Sequence, residues 1–74
     1  MKAILVFIDK SCHNVIAYNI DDNLEALVLK LMRKLYDVYA YKKISDRRIR
    51  ISTNDGRVLN ISWQSITLWD KDNL

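Results

Sequence analysis

The chain contains a single glycine, Gly56, and no proline, so little in the sequence forces a helix or strand to end. Turns must therefore be formed by asparagine, aspartate and serine, whose side chains hydrogen-bond to nearby backbone groups. A glycine-rich phosphate-binding loop is excluded for the same reason, and the usual nucleotide-binding fingerprints are excluded with it. Long secondary-structure elements are expected.

A length of 74 residues allows one hydrophobic core, so residues 1–74 are predicted to form one domain, with the polar end Asp70–Leu74 frayed. The chain is 50% hydrophobic and 28% charged, which is typical of folded proteins. Such a short domain buries only about 60% of the surface that its unfolded chain exposes. A lone cysteine, Cys12, offers no internal disulfide, which leaves oligomerisation as the common way to add stability.

The longest apolar run, Ala3–Ile8, is too short to cross a bilayer. It also lacks the cleavage-site pattern that follows a signal peptide. These features predict a cytoplasmic protein without a membrane partner.

The first part of the chain is predicted to form a hairpin. Residues Lys2–Ile8 and Val15–Ile20 are rich in the β-branched and aromatic side chains that favour strands. A four-residue loop at Lys10–His13 would pair Leu5 with Tyr18 and Phe7 with Ile16, which predicts one core face. The opposite face would then be unexpectedly apolar for a surface in water, and would carry Ile4, Val6, Ile8, Val15 and Ala17.

A helix is predicted after Asp21, Asp22 and Asn23, whose side chains can cap its first amides. Apolar residues at three- and four-residue spacing extend this helix to about Tyr41. They are Leu24, Leu27, Val28, Leu31, Leu35, Val38 and Tyr39. In this projection the core stripe is centred near Leu24 and Leu35, and it leaves three apolar residues on one flank: Leu29, Met32 and Tyr36.

The second hairpin is predicted around Asn54-Asp55-Gly56. A three-residue loop pairs Ile49 with Ile61 and Ile51 with Leu59, whereas a two-residue loop would mix polar and apolar residues on both faces. The longer loop needs a left-handed residue at its end, where Gly56 is located. After this hairpin, Ile66–Trp69 is either a short further strand or an irregular tail.

The sequence therefore predicts an α+β protein in which one long helix packs on one face of an antiparallel sheet. The predicted order is β-β-α-β-β, with or without a short fifth strand. Many unrelated small domains share this order, so the fold does not imply a function.

The chain carries no convincing catalytic constellation. Ser11, Cys12 and His13 adjoin one another, but neighbours in a turn point in different directions and no third orienting group is identifiable. Asp21 and Asp22 could bind Mg²⁺, but helix capping explains them. We therefore predict no enzyme activity, no metal, no cofactor and no small-molecule substrate.

The main electrostatic feature is a basic cluster in a chain of net charge +3. It comprises Lys42, Lys43, Arg47, Arg48 and Arg50. The cluster could neutralise nucleic-acid phosphates, with Tyr41, Trp63 or Trp69 as stacking platforms, or it could be a solvated or protein-contacting patch. The second interpretation is favoured because the net charge is modest. Trp63 also shares the alternation of Leu59 and Ile61, which predicts that it packs at the edge of the core.

Together these features predict a small binding module that acts through protein–protein contacts and forms a homodimer. The predicted contact residues are the apolar side chains left uncovered, namely Leu29, Met32, Tyr36, Ile4, Val6 and Ile8. Its composition fits an accessory protein of a phage or mobile element, or an inhibitor of a host protein. The alternative is a nucleic-acid-binding regulatory protein that uses the basic cluster from Lys42 to Arg50.

Overall fold

The computed structural model describes residues 2–67, which form five strands and one helix. The elements are β1 (Lys2–Ile8), β2 (Ser11–Tyr18), α1 (Leu24–Leu35), β3 (Val38–Ser45), β4 (Arg48–Thr53) and β5 (Val58–Thr67). The strands form one antiparallel sheet in the order β2-β1-β5-β4-β3. The α+β class and the antiparallel sheet are confirmed, and the order of elements is β-β-α-β-β-β. The additional strand is β3, directly after the helix, and not a short strand that begins at Ile66.

The first hairpin is tighter than predicted. A two-residue turn at Asp9 and Lys10 replaces the four-residue loop, and Asp9 adopts a left-handed φ of 57°. Aspartate tolerates this conformation better than most residues, so no glycine is needed. Leu5 consequently lies opposite Val15 and not opposite Tyr18, with a bulge in β2 near His13.

This difference in register reverses the predicted faces of β1. Side chains alternate between the two faces along a strand. A shift of the pairing register by an odd number of residues therefore moves all side chains of one strand to the opposite face. Ile4, Val6 and Ile8 are buried, whereas Leu5 and Phe7 are only half-buried. The prediction that Ile4, Val6 and Ile8 face away from the core is therefore wrong.

The helix is shorter than predicted and ends at Leu35. Asn23 caps its start by accepting a hydrogen bond from the Ala26 amide at 3.2 Å. Tyr36 ends the helix in an extended conformation, and its amide donates to the Met32 carbonyl. The next residues form β3, because the valine and tyrosines at its start favour an extended chain.

The shorter helix also changes which of its side chains are buried. Val28, Leu29 and Met32 are buried, and Tyr36 packs against the core, whereas Leu35 is 48% exposed. The predicted apolar stripe of the helix included Val38 and Tyr39, which belong to β3. Including them turned the predicted core face away from the face that is buried. The interpretation of Leu29, Met32 and Tyr36 as an uncovered flank is therefore wrong.

The second hairpin is confirmed in register and in loop length. Ile49 lies opposite Ile61, Ile51 lies opposite Leu59, and Gly56 has a φ of +86°. The Thr53 amide donates to the Arg57 carbonyl at 2.9 Å and closes the loop. β5 then continues without a break through Ile66 and Thr67, so no separate short strand begins at Ile66. Trp69 and the end predicted to be frayed lie outside the described residues.

The buried hydrophobic residues of the strands and of the helix form one cluster. β1 contributes Ile4, Val6 and Ile8, β4 and β5 contribute Ile49, Ile51, Ile61 and Trp63, and α1 contributes Val28, Leu29 and Met32.

Candidate binding surface

The sheet has two chemically different faces, which its pairing defines. Directly opposed residues project from the same face, so Val6 and Trp63 share one face, and Leu5 and Val15 share the other. We call the face that carries the buried cluster the inner face. The outer face is the opposite one.

The outer face is divided into an apolar part and a basic part. The apolar part lies on β2, β1 and the end of β5, and it comprises Leu5, Phe7, Val15, Ala17 and Ile66. The basic part lies on β3 and β4 and comprises Lys42, Arg48 and Arg50. Between them β5 contributes neutral polar side chains, which are Asn60, Ser62 and Gln64.

The structure brings part of the predicted basic cluster together. Lys42 lies directly opposite Arg50, and Arg48 projects from the same face two residues earlier. Lys43 lies opposite the buried Ile49 and so projects from the inner side of the sheet, while Arg47 is in the turn between β3 and β4. The outer face therefore collects three of the five cluster residues, all of them exposed.

No residue of the five described strands is acidic. The carboxylates among residues 2–67 lie in turns, in loops or in α1. Within the same residues the salt bridge that forms joins Arg57 to Asp55 at 3.0 Å, in the loop between β4 and β5. The basic residues of the outer face thus have no carboxylate partner within the described part of the chain.

A short hydrogen-bond chain orients Arg50. Its Nε donates to Oδ1 of Asn60 at 3.1 Å, and the backbone of Asn60 is tied to the β1–β2 turn. The Asp9 amide donates to the Asn60 carbonyl at 2.7 Å, and Oδ1 of Asp9 accepts from the Asn60 amide at 3.3 Å. A shallow cleft of about 260 Å³ opens beside these residues and is also lined by Arg48 and Ile44.

Two of the predicted stacking platforms, Trp63 and Tyr41, do not project beside the basic part. Trp63 is 5% exposed and belongs to the core, as its alternation predicts. Tyr41 is 45% exposed but lies opposite Ile51, which puts it on the inner side of the sheet. Phe7 projects from the outer face and is half-buried, while Tyr39, at the register shift between Val38 and Ala40, is 74% exposed.

The other candidate residues lie in β2 and in the turn before α1. Ser11, Cys12 and His13 lie in β2 and not in a turn, and Cys12 is exposed. Asp22 accepts a hydrogen bond from the Asn19 amide at 2.8 Å and so stabilises the turn before α1, while Asn23 caps the helix. Residues 2–67 contain no group of three potential metal ligands and no helix of the length and apolarity needed to span a bilayer.

The predicted contact residues and the structure disagree on where an uncovered surface lies. Ile4, Val6, Ile8, Leu29 and Met32 are all in the core. The sequence correctly predicts Val15 and Ala17 on the uncovered face of the sheet, but it wrongly assigns Leu5 and Phe7 to the core. The signal that would have placed them is Asp9, which can take the left-handed position of a two-residue turn.

Comparisons with protein-family models, with curated proteins and with solved structures gave no match.

Proposed function

We propose that this chain is a small, non-enzymatic binding module that contacts another protein through the outer face of its sheet. In this proposal α1 packs on the inner face, because its buried residues Val28, Leu29 and Met32 belong to the same cluster as the inner-face residues. That arrangement leaves the outer face for a partner. Such a role requires no catalytic group.

The observation that carries the proposal is the absence of acidic residues from the described strands, on a sheet whose outer face collects three basic ones. Lys42 directly opposite Arg50 is an arrangement of like charges that lowers the stability of a sheet. An acidic partner surface would supply the missing counter-charge and would accelerate encounter by electrostatic attraction. The proposed partner is therefore an acidic protein surface.

The apolar part of the outer face favours a protein over a nucleic acid. Protein interfaces combine an apolar centre with arginine, and here Leu5 and Phe7 lie on the same face as Arg48 and Arg50. Single-stranded nucleic acids are bound by aromatic platforms beside basic residues, and Trp63 and Tyr41 do not project beside this basic part. The role as a phage or mobile-element accessory protein, or as an inhibitor of a host protein, stays a prediction from composition.

The test compares two variants with the same change in charge. Arg48→Ser with Arg50→Ser removes two positive charges from the outer face, and Lys30→Ser with Arg33→Ser removes two from exposed positions of α1. Each tagged protein is incubated with host lysate, with and without nuclease, and the retained proteins are compared. We expect a nuclease-resistant partner that the wild type and the helix variant retain and the outer-face variant loses.

Two results would count against the proposal. Retention by all three proteins would exclude the basic part of the outer face. Loss of the partner on nuclease treatment, together with oligonucleotide binding that weakens steeply with salt, would favour the nucleic-acid alternative. Thermal melts of each variant establish that it is folded.

A further inference from the structure

The two edge strands of the sheet differ in their protection against pairing. An edge strand presents unpaired backbone amides and carbonyls, and proteins usually protect it with lysines, prolines or bulges. β3 has two such devices, because it carries Lys42 and Lys43 and has register shifts near both of its ends. The edge of β3 is therefore protected against another strand.

The other edge, β2, lacks most of this protection. None of its eight residues is a lysine, arginine, aspartate, glutamate or proline. Its one bulge lies near His13, next to the turn, and leaves Asn14–Tyr18 in regular pairing with β1. Val15 is 54% exposed, and Ile20 just beyond the strand is 78% exposed. Within residues 2–67 no strand pairs with the outward side of β2, so the stretch Asn14–Tyr18 is an uncharged, partly apolar edge of the sheet.

We propose that β2 pairs antiparallel with β2 of a second copy of this chain, centred on Ile16, so that two sheets join into one. This register puts Ile16 opposite Ile16, Val15 opposite Ala17 and Asn14 opposite Tyr18. Every pair is uncharged, and Ile16 already packs against the core from the inner face. Cross-strand apolar pairs of this kind stabilise a sheet.

Charge distribution favours a second copy at this edge. In the proposed dimer seven strand spacings separate the two copies of β4, which is about 34 Å at about 4.8 Å per spacing. This distance exceeds the Debye length of about 8 Å at physiological salt, so the two basic parts do not repel appreciably. Pairing through β3 would instead bring Lys42 and Lys43 of both copies onto neighbouring strands. The inference is independent of the proposed function, because the dimer leaves the basic part of both outer faces exposed.

The test is a charge swap at two exposed positions of β2. Val15→Lys with Ala17→Lys places two like-charged pairs across the proposed interface, and so does Val15→Glu with Ala17→Glu. We expect the wild type to be a dimer by sedimentation and each variant to dimerise on the order of tenfold more weakly. An equimolar mixture of the two variants should restore the dimer, because each lysine then faces a glutamate. Ala40→Lys, on the β3 edge, is the matched control and should dimerise like the wild type.

Three outcomes would overturn the proposal. They are a monomeric wild type at high micromolar concentration, dimers that both double variants preserve, and a mixture of folded variants that stays monomeric. If a variant does not fold, hydrogen exchange of the wild type decides the matter. Amide protection in Asn14–Tyr18 should rise with protein concentration, and protection that is independent of concentration would contradict β2 pairing.

Discussion

Ile8 lies directly opposite Ile61 where β1 pairs with β5, so the first and last strands within residues 2–67 are neighbours in the sheet. Ile61 in turn lies opposite Ile49, and the three isoleucines form one buried row across β1, β5 and β4. Residues distant in sequence therefore build the centre of the core. Truncating a side chain on the inner face should therefore lower the free energy of unfolding more than truncating one on the outer face.

Replacing Ile4 by alanine should be far more costly than replacing Leu5 by alanine. Ile4 is fully buried, and its truncation leaves a cavity that costs about 2–5 kcal/mol. Leu5 is half-buried on the outer face, so the same change should cost clearly less. Urea denaturation followed by circular dichroism measures both free energies of unfolding. A larger loss for Leu5→Ala would show that β1 has the opposite orientation.

The orientation of α1 can be tested in the same way. Met32 is fully buried and Leu35 is 48% exposed, although both are large apolar residues on the same helix. We expect Met32→Ala to lower the free energy of unfolding by about 2–5 kcal/mol and Leu35→Ala to lower it by much less. Equal losses would indicate that the helix buries the stripe centred on Leu35.

The two hairpins differ in how strongly their sequences specify a register. The second hairpin was predictable because polar and apolar residues alternate on both sides of Gly56, so a single register separates them. In the first hairpin β1 is apolar on both faces, and alternation cannot choose between them. The register depends there on Asp9 adopting a left-handed conformation, which a sequence permits but does not require.

The failure to predict β3 had a different cause. Residues Val38–Tyr41 continue the three- and four-residue spacing of α1, so periodicity alone extends the helix through them. Their β-branched and aromatic side chains instead favour a strand, and pairing with β4 decides the outcome. The basic residues Lys42 to Arg50 are close together in the sequence. Their division between two faces could be seen only after the β3–β4 pairing was known.

Replacing Gly56 by alanine should destabilise the protein by about 1 kcal/mol, because an L-residue is strained at a φ of +86°. A new Cβ there would meet no heavy atom within 4 Å, so the cost comes from the backbone. Gly56→Asn is the matched control and should cost less, since asparagine tolerates left-handed conformations. Thermal denaturation compares the three proteins. If Gly56→Ala were as stable as the wild type, position 56 would not require a left-handed backbone conformation.

Replacing Arg48 and Arg50 together by serine should leave the melting temperature nearly unchanged. Both side chains are exposed, and the hydrogen bond from Arg50 to Asn60 is at the surface, where such contacts contribute little. The change also removes the repulsion between Arg50 and Lys42. A scanning melt checks the result. A large fall in melting temperature would mean that the two arginines stabilise the fold instead of binding a partner.

The loop between β4 and β5 should make stability depend on pH through Asp55. A hydrogen bond from the Thr53 hydroxyl and the nearby Arg57 guanidinium hold the pKa of Asp55 below its usual value of 3.8. A carboxyl group whose pKa is lower in the folded state than in the unfolded state stabilises the fold. This stabilisation is complete at pH values above the pKa of the unfolded state, and it is lost as the pH falls through the pKa of the folded state. Asp55→Asn should therefore be less stable than the wild type near neutral pH, and the difference should shrink in acid. Urea denaturation at several pH values measures it, and a difference that stays constant from neutral pH into acid would show that Asp55 does not stabilise the loop through its charge.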